Sequence, residues 1–238
     1  MSQSLLITLC TYNERENLEE LIPEIFKYAP NASILVVDDN SPDGTGEYVD
    51  SLAAENPKIH AIHREGKLGL GTATVRAFQF GIENSYDLLL NLDADFSHPP
   101  RFIPAMVEQA ANFDCVIGSR YVAGGEIVGW GPKRHFMSRG INFYARTLLG
   151  LKTKDNSGSF RCYRVSKLAE FDWAKSQAKG YAFQEEILYR LRKVNATFTE
   201  VPIKFEERRF GVTKINWKEA VSAGWVIMKL RLPNQSTK

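Results

Sequence analysis

The stretch SILVVDDNSPDGTGEYVDSLAAE, residues 33–55, reads as a strand, a turn and a helix in succession. Ile34 to Val37 form a continuous apolar run, the pattern of a strand buried on both faces of a parallel sheet. Pro42, Asp43 and Gly44 supply the turn, and an amphipathic helix follows. Working outward, the same step recurs on both sides. Upstream, LLITL (5–9) predicts a strand and NLEELIPEIFKYA (17–29) a helix with Leu18, Leu21, Ile22 and Ile25 on one face. Downstream, KIHAIHR (58–64) precedes the helical GTATVRAFQFGIEN (71–84), and YDLLLNLD (86–93) precedes PPRFIPAMVEQAA (99–111), a helix opened by prolines. DCVIGSR (114–120) is a further strand. Five such steps predict an α/β fold, a mostly parallel three-layer α/β/α sheet of Rossmann-like type with right-handed crossovers.

In such sheets ligands gather at the carboxyl ends of the strands. Tyr12, Glu14, Asp38, Asp39, Asp93, Asp95 and Arg120 all fall at or just past those ends. The sharpest of these signals is LLLNLDADFSHPP (88–100), an apolar strand that ends on two aspartates one residue apart. Side chains alternate along an extended chain, so Asp93 and Asp95 point the same way. Two carboxylates that close repel each other in a cleft unless a cation lies between them. A solvated acidic loop is the plain alternative. The convergence of strand ends favours a divalent-metal site, with Mg or Mn suited to carboxylate, water and diphosphate oxygens.

The chain of 238 residues, 44% hydrophobic, is long enough for one large core. No run approaches the roughly 20 apolar residues of a spanning helix, and the N-terminus lacks the basic region of a signal peptide. Cys10, Cys115 and Cys162 have no metal-type spacing and fit buried thiols in a reducing compartment. The net charge of +2 hides an asymmetry. Residues 1–119 carry 7 basic against 18 acidic side chains, net −11, and residues 120–238 carry 23 against 10, net +13. An acidic half suits a cation, and a basic half suits phosphates or an anionic surface. No reading helix or aromatic RNP-like strand accompanies the basic surplus, so nucleic acid is not expected as a partner.

After residue 120 the rhythm breaks. YVAGGEIVGWGPKRHF (121–136) reads as a glycine-rich loop, SRGINFYARTLLGL (138–151) as a helix and SGSFRCYR (157–164) as a short strand. Helix FQEEILYRLRKV, strand TFTEVPIKFEER and helix NWKEAVSAGWVIMKLRL complete the chain. One competing motif is GLGTAT (69–74), which opens a helix after a strand, with Asp93 following Gly71 by 22 residues as in a dinucleotide fingerprint. However, Thr74 stands where Gly or Ala belongs, and the motif is not on the first strand. An NAD-dependent oxidoreductase is therefore one alternative, and a non-catalytic sugar-nucleotide-binding protein is another.

Several stretches recur together in the order TYNEREN, VVDDNSPDGT, GKLGLGTA, LDADFSHPP, GSRY, WGPKRHFMSRGINF, SGSFRCYR, GYAFQEE and EVPIKFEERRFGVTKI. In this the chain resembles the polyprenol-phosphate (dolichol-phosphate) mannosyltransferases, inverting GT-A-fold enzymes of glycosyltransferase family 2. The resemblance covers about residues 5–216 and implies transfer of mannose from GDP-mannose to a polyprenyl monophosphate. UDP-glucose or another sugar nucleotide is the alternative donor.

Residue by residue, the resemblance puts Cys10, Tyr12 and Glu14 at the nucleotide, with Val36 and Asp38 around the base. Cys10 stands where the family usually has proline. The resemblance makes Asp93 and Asp95 the metal ligands, with Ala94 between them on the donor side, and it makes Arg120, Arg134, Ser138, Arg208 and Lys214 phosphate and donor contacts. Arg134 and Ser138, four apart near a helix start, would grip one phosphate. A phosphate acceptor is already largely dianionic at pH 7, so no general base is expected. The resemblance further implies a cytoplasmic enzyme held at the cytoplasmic face of a membrane. Contact would be through a C-terminal amphipathic helix in residues 216–238, beyond a catalytic domain of residues 1–215, or through a membrane-anchoring subunit. Trp217, Ala220, Val221, Trp225, Ile227 and Met228 are candidates for an apolar stripe on that helix, with packing on the domain as the other outcome.

Overall fold

The computed structural model describes residues 3–176, 182–208 and 217–231, without the side chains of 174 and 217–223. The expected alternation is present: β1 (Leu5–Thr11), α1 (Arg15–Tyr28), β2 (Ser33–Asp38), α2 (Thr45–Glu55), β3 (Ile59–His63), α3 (Leu70–Glu83) and β4 (Leu88–Asn91). A 3₁₀ turn at Pro100–Phe102 leads into α4 (Ile103–Gln109) and β5 (Cys115–Ser119). The second half adds β6 (Glu126–Ile127), α5 (Pro132–Leu149), β7 (Arg161–Arg164), α6 (Val165–Leu168), α7 (Phe183–Lys193), β8 (Phe198–Pro202), β9 (Lys204–Phe205) and α8 (Trp217–Arg231).

The main sheet has the order β3-β2-β1-β4-β7-β5-β8. All pairings are parallel except those of β7, which runs antiparallel to both β4 and β5. Alternate residues divide between two cores. Leu6, Leu35 and Leu89 join one cluster with Phe78, Ala145 and Ile187. Ile7, Ile34 and Leu90 join the other with Leu21, Ile25 and Met106. The sheet is thus sandwiched between helices, and its strands need apolar side chains in both directions, which explains the unbroken runs.

From β1 the chain builds outward through β2 to β3 and then returns across β1 to β4. The order therefore reverses at β1, and in open sheets ligands bind at this kind of switch point. The backbone there is strained. Asn13, Asn40 and Phe96 follow β1, β2 and β4, with φ of +59°, +57° and +64°. Asparagine tolerates this left-handed region, whereas for phenylalanine it costs on the order of 1–3 kcal/mol.

Two expectations are corrected. The segment 121–136 is not all loop, because α5 begins at Pro132, whose ring presets the helical φ just after Gly131. Gly150, with φ of +64°, ends that helix in the left-handed conformation. Among its described side chains, the terminal helix also does not present Trp225 and Ile227 on a single apolar face. Ile227 is wholly buried in the core while Trp225 is exposed. Helix α8 packs on α5, where the Tyr144 hydroxyl donates to the Gly224 carbonyl at 3.3 Å and Arg231 Nη1 donates to the Leu148 carbonyl at 2.7 Å. The side chains of Trp217, Ala220 and Val221 lie outside the described ones.

Candidate active site

Four strand ends converge on one edge. After β4, Asp93 keeps its carboxylate partly open to solvent, with Oδ1 accepting from Ser159 Oγ at 2.7 Å. Its backbone N–H donates to His98 Nδ1 at 3.3 Å, so that ring nitrogen is unprotonated. Burial lowers the His98 pKa against the pull of Asp93 and Asp95, and His98 is a neutral, packed side chain between Phe160 and Phe205. Asp95 is largely buried. Its Oδ1 accepts from the Ser97 backbone N–H at 3.0 Å, and its Oδ2 lies 3.1 Å from Arg208 Nη2. Ala94, between the two aspartates, is buried. Arg208 already neutralises part of the Asp95 charge, and the half-open Asp93 is the carboxylate that stays accessible to a second cation.

Two carboxylates alone do not fill the coordination sphere of Mg or Mn, and no group of three His, Cys, Asp or Glu side chains suited to a metal occurs among the described residues. That donor set fits a hard cation that takes its remaining oxygens from water and a diphosphate.

At the end of β1, Tyr12 is exposed, and Lys67 Nζ lies 4.1 Å above its ring. Glu14 begins α1 but does not cap it. Its Oε2 accepts from Asn17 Nδ2 at 2.6 Å instead. Burial, with the charges of Asp95 and Asp93 adding to it, pushes the Glu14 pKa up to about 7. The three acids therefore share one electrostatic neighbourhood. Cys10 lies beside Thr74, and burial holds it as a neutral thiol with its pKa raised to about 12.

Other candidates are placed differently from expectation. Val36 is 1% exposed, with its side chain in the core on the α1 side, so it is not brought to the cleft. Asp38 is spent inside the loop, accepting from Thr11 Oγ1 (2.9 Å), the Ser41 hydroxyl (2.5 Å) and the Ser41 backbone N–H (2.9 Å). It braces the loop after β2. Asp39 instead pairs with Arg64 at 2.6 Å.

Arg120 is the largest departure. Its guanidinium forms a two-pronged pair with Asp155, Nε to Oδ2 at 2.7 Å and Nη2 to Oδ1 at 2.6 Å, while Nη2 also donates to Ser157 Oγ at 3.0 Å. Tyr121, Trp130 and Phe205 ring it, each 5.4 Å away. Burial alone would destabilise both charges. Their mutual attraction outweighs it, raising the Arg120 pKa and lowering that of Asp155. Arg120 thus braces the loop that carries Ser157 and Ser159.

In α5, Arg134 stacks on Trp130 at 3.9 Å, and Ser138 Oγ accepts from the Tyr121 hydroxyl at 2.7 Å. This bond leaves the serine proton free to donate. The two residues share a helix face, as their spacing predicted. Lys214 lies outside the described residues. Sequence reasoning assigned no role to Lys67, Asp155 or Ser159. The latter two stand in SGSFRCYR and the DN just before it, where an acid and two serines flank a glycine.

A mostly parallel sheet with a strand-end D-x-D at its switch point defines the GT-A class of nucleotide-sugar glycosyltransferases. Residues 6–171 match the family model of Glycosyl transferase family 2. The chain belongs to that family and is a glycosyltransferase. It is 40% identical over 212 residues to the undecaprenyl-phosphate mannosyltransferase of Micrococcus luteus, covering 89% of this chain and 87% of the relative. It is also 40% identical over 217 residues to the polyprenol monophosphomannose synthase of Mycolicibacterium smegmatis, covering 90% and 82%. Among solved structures, it superposes on Mycobacterium tuberculosis glucosyl-3-phosphoglycerate synthase in complex with Mn2+, UDP and phosphoglyceric acid. The TM-score is 0.67 at 17% identity, over 96% of this chain and 77% of the other. A Pyrobaculum calidifontis mannosyltransferase in complex with GDP-Man and Mn2+ has a TM-score of 0.57 at 16% identity, over 87% and 57%. At those identities the likeness concerns the fold. Membership of the family sets aside the oxidoreductase reading of GLGTAT, where Gly69 simply turns the chain into α3 with φ of +96°.

Proposed function

We propose that the enzyme transfers mannose from GDP-mannose, with inversion, to a polyprenyl monophosphate at a membrane surface. The observation that carries this reading is the 40% identity, over about nine-tenths of the chain, to two enzymes named for polyprenyl-type mannosyl transfer. The site is compatible with that chemistry. Asp93 and Asp95 would hold Mg or Mn, which when bound would stabilise the departing diphosphate. Ser159 and the Asp93 N–H···His98 bond fix the Asp93 carboxylate, and Asp95 is fixed by its own turn. Arg208, 3.1 Å from Asp95, would move to a donor phosphate oxygen. Ser138 and Arg134, on the α5 face, would orient the acceptor phosphate. That phosphate is already anionic, so attack needs alignment and not proton removal. Among the described residues no helix is long and apolar enough to cross a membrane, consistent with peripheral contact.

The test is transfer to a short, water-soluble prenyl phosphate, with GDP-mannose or UDP-glucose as donor, each with and without Mn. Metal-dependent product from GDP-mannose, with the β configuration at the sugar, supports the reading. Product from UDP-glucose alone moves the enzyme to another donor, and retention of configuration removes the inverting mechanism.

A further inference from the structure

A second, strongly basic cavity of about 390 Å³ lies between α5 and the segment after β5. Arg120 and Tyr121 form its floor, and Arg139, Phe143, Arg146 and Lys154 its walls. Arg120 is already neutralised by Asp155. The other three cations have no carboxylate partner among the described residues. Three cations with no counter-charge among the described residues repel each other around one concavity, so the cavity favours an anion. The rim is apolar and exposed. Phe136, Arg139, Phe143 and Arg146 run along one face of α5, and Phe136 and Phe143 are 81% and 63% exposed. On the neighbouring α8, Trp225 is 56% exposed with Lys229 5.5 Å from its ring.

We infer that this cavity is a binding site for the phosphate headgroup of an anionic bilayer phospholipid, next to the proposed acceptor site, whose Ser138 bonds the Tyr121 floor, and distinct from it in using Arg139, Arg146 and Lys154. Alternating aromatic and basic side chains are what a bilayer interface accepts, with rings at headgroup depth and cations on phosphate. A soluble phosphate would use the cations but would leave the exposed rings without a role. The cavity opens at the carboxyl end of β5, the edge that also carries the catalytic aspartates. A lipid held there would set how the active site faces the membrane. The inference rests on the proposed lipid acceptor only in assuming that the enzyme works at a bilayer.

The test compares wild type with Arg146→Gln/Lys154→Gln and with a charge-matched control, Lys27→Gln/Lys193→Gln. Binding is read by co-sedimentation with phosphatidylcholine vesicles, with and without phosphatidylglycerol. Turnover is read with a water-soluble prenyl phosphate. Removing two charges in contact with lipid should lower partitioning onto the phosphatidylglycerol vesicles by about thirtyfold. The control should lose no more than about threefold, because its charges lie away from the contact. Soluble-acceptor turnover should stay within about twofold of wild type for both variants. Equal losses by variant and control would reduce the site to diffuse attraction and overturn the inference. So would loss of soluble turnover in the cavity variant, which would assign the cavity to the acceptor. Thermal stabilisation by inorganic phosphate that the variant loses, with vesicle binding unchanged, would make it a free-phosphate site. If wild type uses no prenyl phosphate while the vesicle result holds, the proposed function falls and the headgroup site stands.

Discussion

Replacing Asp155 by asparagine tests whether Arg120 is a brace. Asp155 is wholly buried, and the Arg120 side chain is 7% exposed. The carboxylate accepts from Arg120 Nε (2.7 Å), Nη2 (2.6 Å) and backbone N–H (2.9 Å), and from the Gly158 N–H (3.2 Å). Asparagine has the same shape but offers one acceptor oxygen, and it turns an amide toward a guanidinium. The charge of Arg120 is then buried without compensation among three rings. Breaking one side of a buried pair costs roughly 3–5 kcal/mol. For a domain of this size each kcal/mol moves Tm by about 2–4 °C, so Asp155→Asn should melt roughly 6–20 °C lower. Calorimetry and urea denaturation both read this. Arg120→Met/Asp155→Leu should recover part of the loss, since no charge stays buried, but not all of it. The backbone N–H groups of Arg120 and Gly158 lose their acceptor in that variant. The same loop presents Ser159 to Asp93, so transfer by folded Asp155→Asn should also fall. A Tm within about 2 °C of wild type would refute the reasoning. Tighter binding of GDP to Asp155→Asn would show that Arg120 was a phosphate contact restrained by its partner.

Asp93→Asn or Asp95→Asn should abolish metal-dependent transfer and leave the urea midpoint nearly unchanged, because each swap is isosteric and relieves repulsion; near-normal turnover with Mg or Mn would remove the metal-site reading. Arg134→Ala should raise acceptor KM by about one to two decades and leave donor KM alone, whereas Arg208→Ala should do the reverse. Weaker GDP binding by Arg134→Ala, with acceptor KM unchanged, would overturn that division. Glu185 is 2% exposed, and burial pushes its pKa up from 4.5 to about 7. Its folded pKa is raised, so the folded state binds the extra proton between those values. Its cost to stability is absent below pH 4.5, grows as pH rises and is complete above about pH 7. Glu185→Gln should therefore flatten the fall in the urea midpoint across that window, and an unchanged slope would show that the carboxyl is not buried as placed.

What the sequence made legible is local. The apolar runs of β1, β2 and β4 and the helical faces between them recur within about thirty residues, so pattern alone predicts them. Asp93 and Asp95 are legible for the same reason, being adjacent on one strand end. The pairs that decide how the site works are distant. Arg120 meets Asp155 and Arg208 meets Asp95 only because the sheet and the β9 turn fold them together. Strand β7 inserts antiparallel between β4 and β5, and a short run such as RCYR does not encode its neighbours. Isolated positive charges at 120 and 208 look alike in the sequence, yet one is spent on a buried carboxylate and the other rests on a carboxylate expected to bind metal.

The backbone at the three strand ends shows the same division. Asn13 and Asn40 could have been read as left-handed positions, because asparagine adopts them readily. Phe96 could not, since its side chain argues against that conformation. Its strain is tolerated because Phe96 is itself buried, and because Ser97 and His98 behind it are buried and bonded to Asp95 and Asp93. The turn thereby fixes both carboxylates against their repulsion, Asp93 half-open and Asp95 largely buried. Packing that holds a phenylalanine in the left-handed region also fixes the two aspartates, so under the proposed function the acids would be in place before any donor arrives.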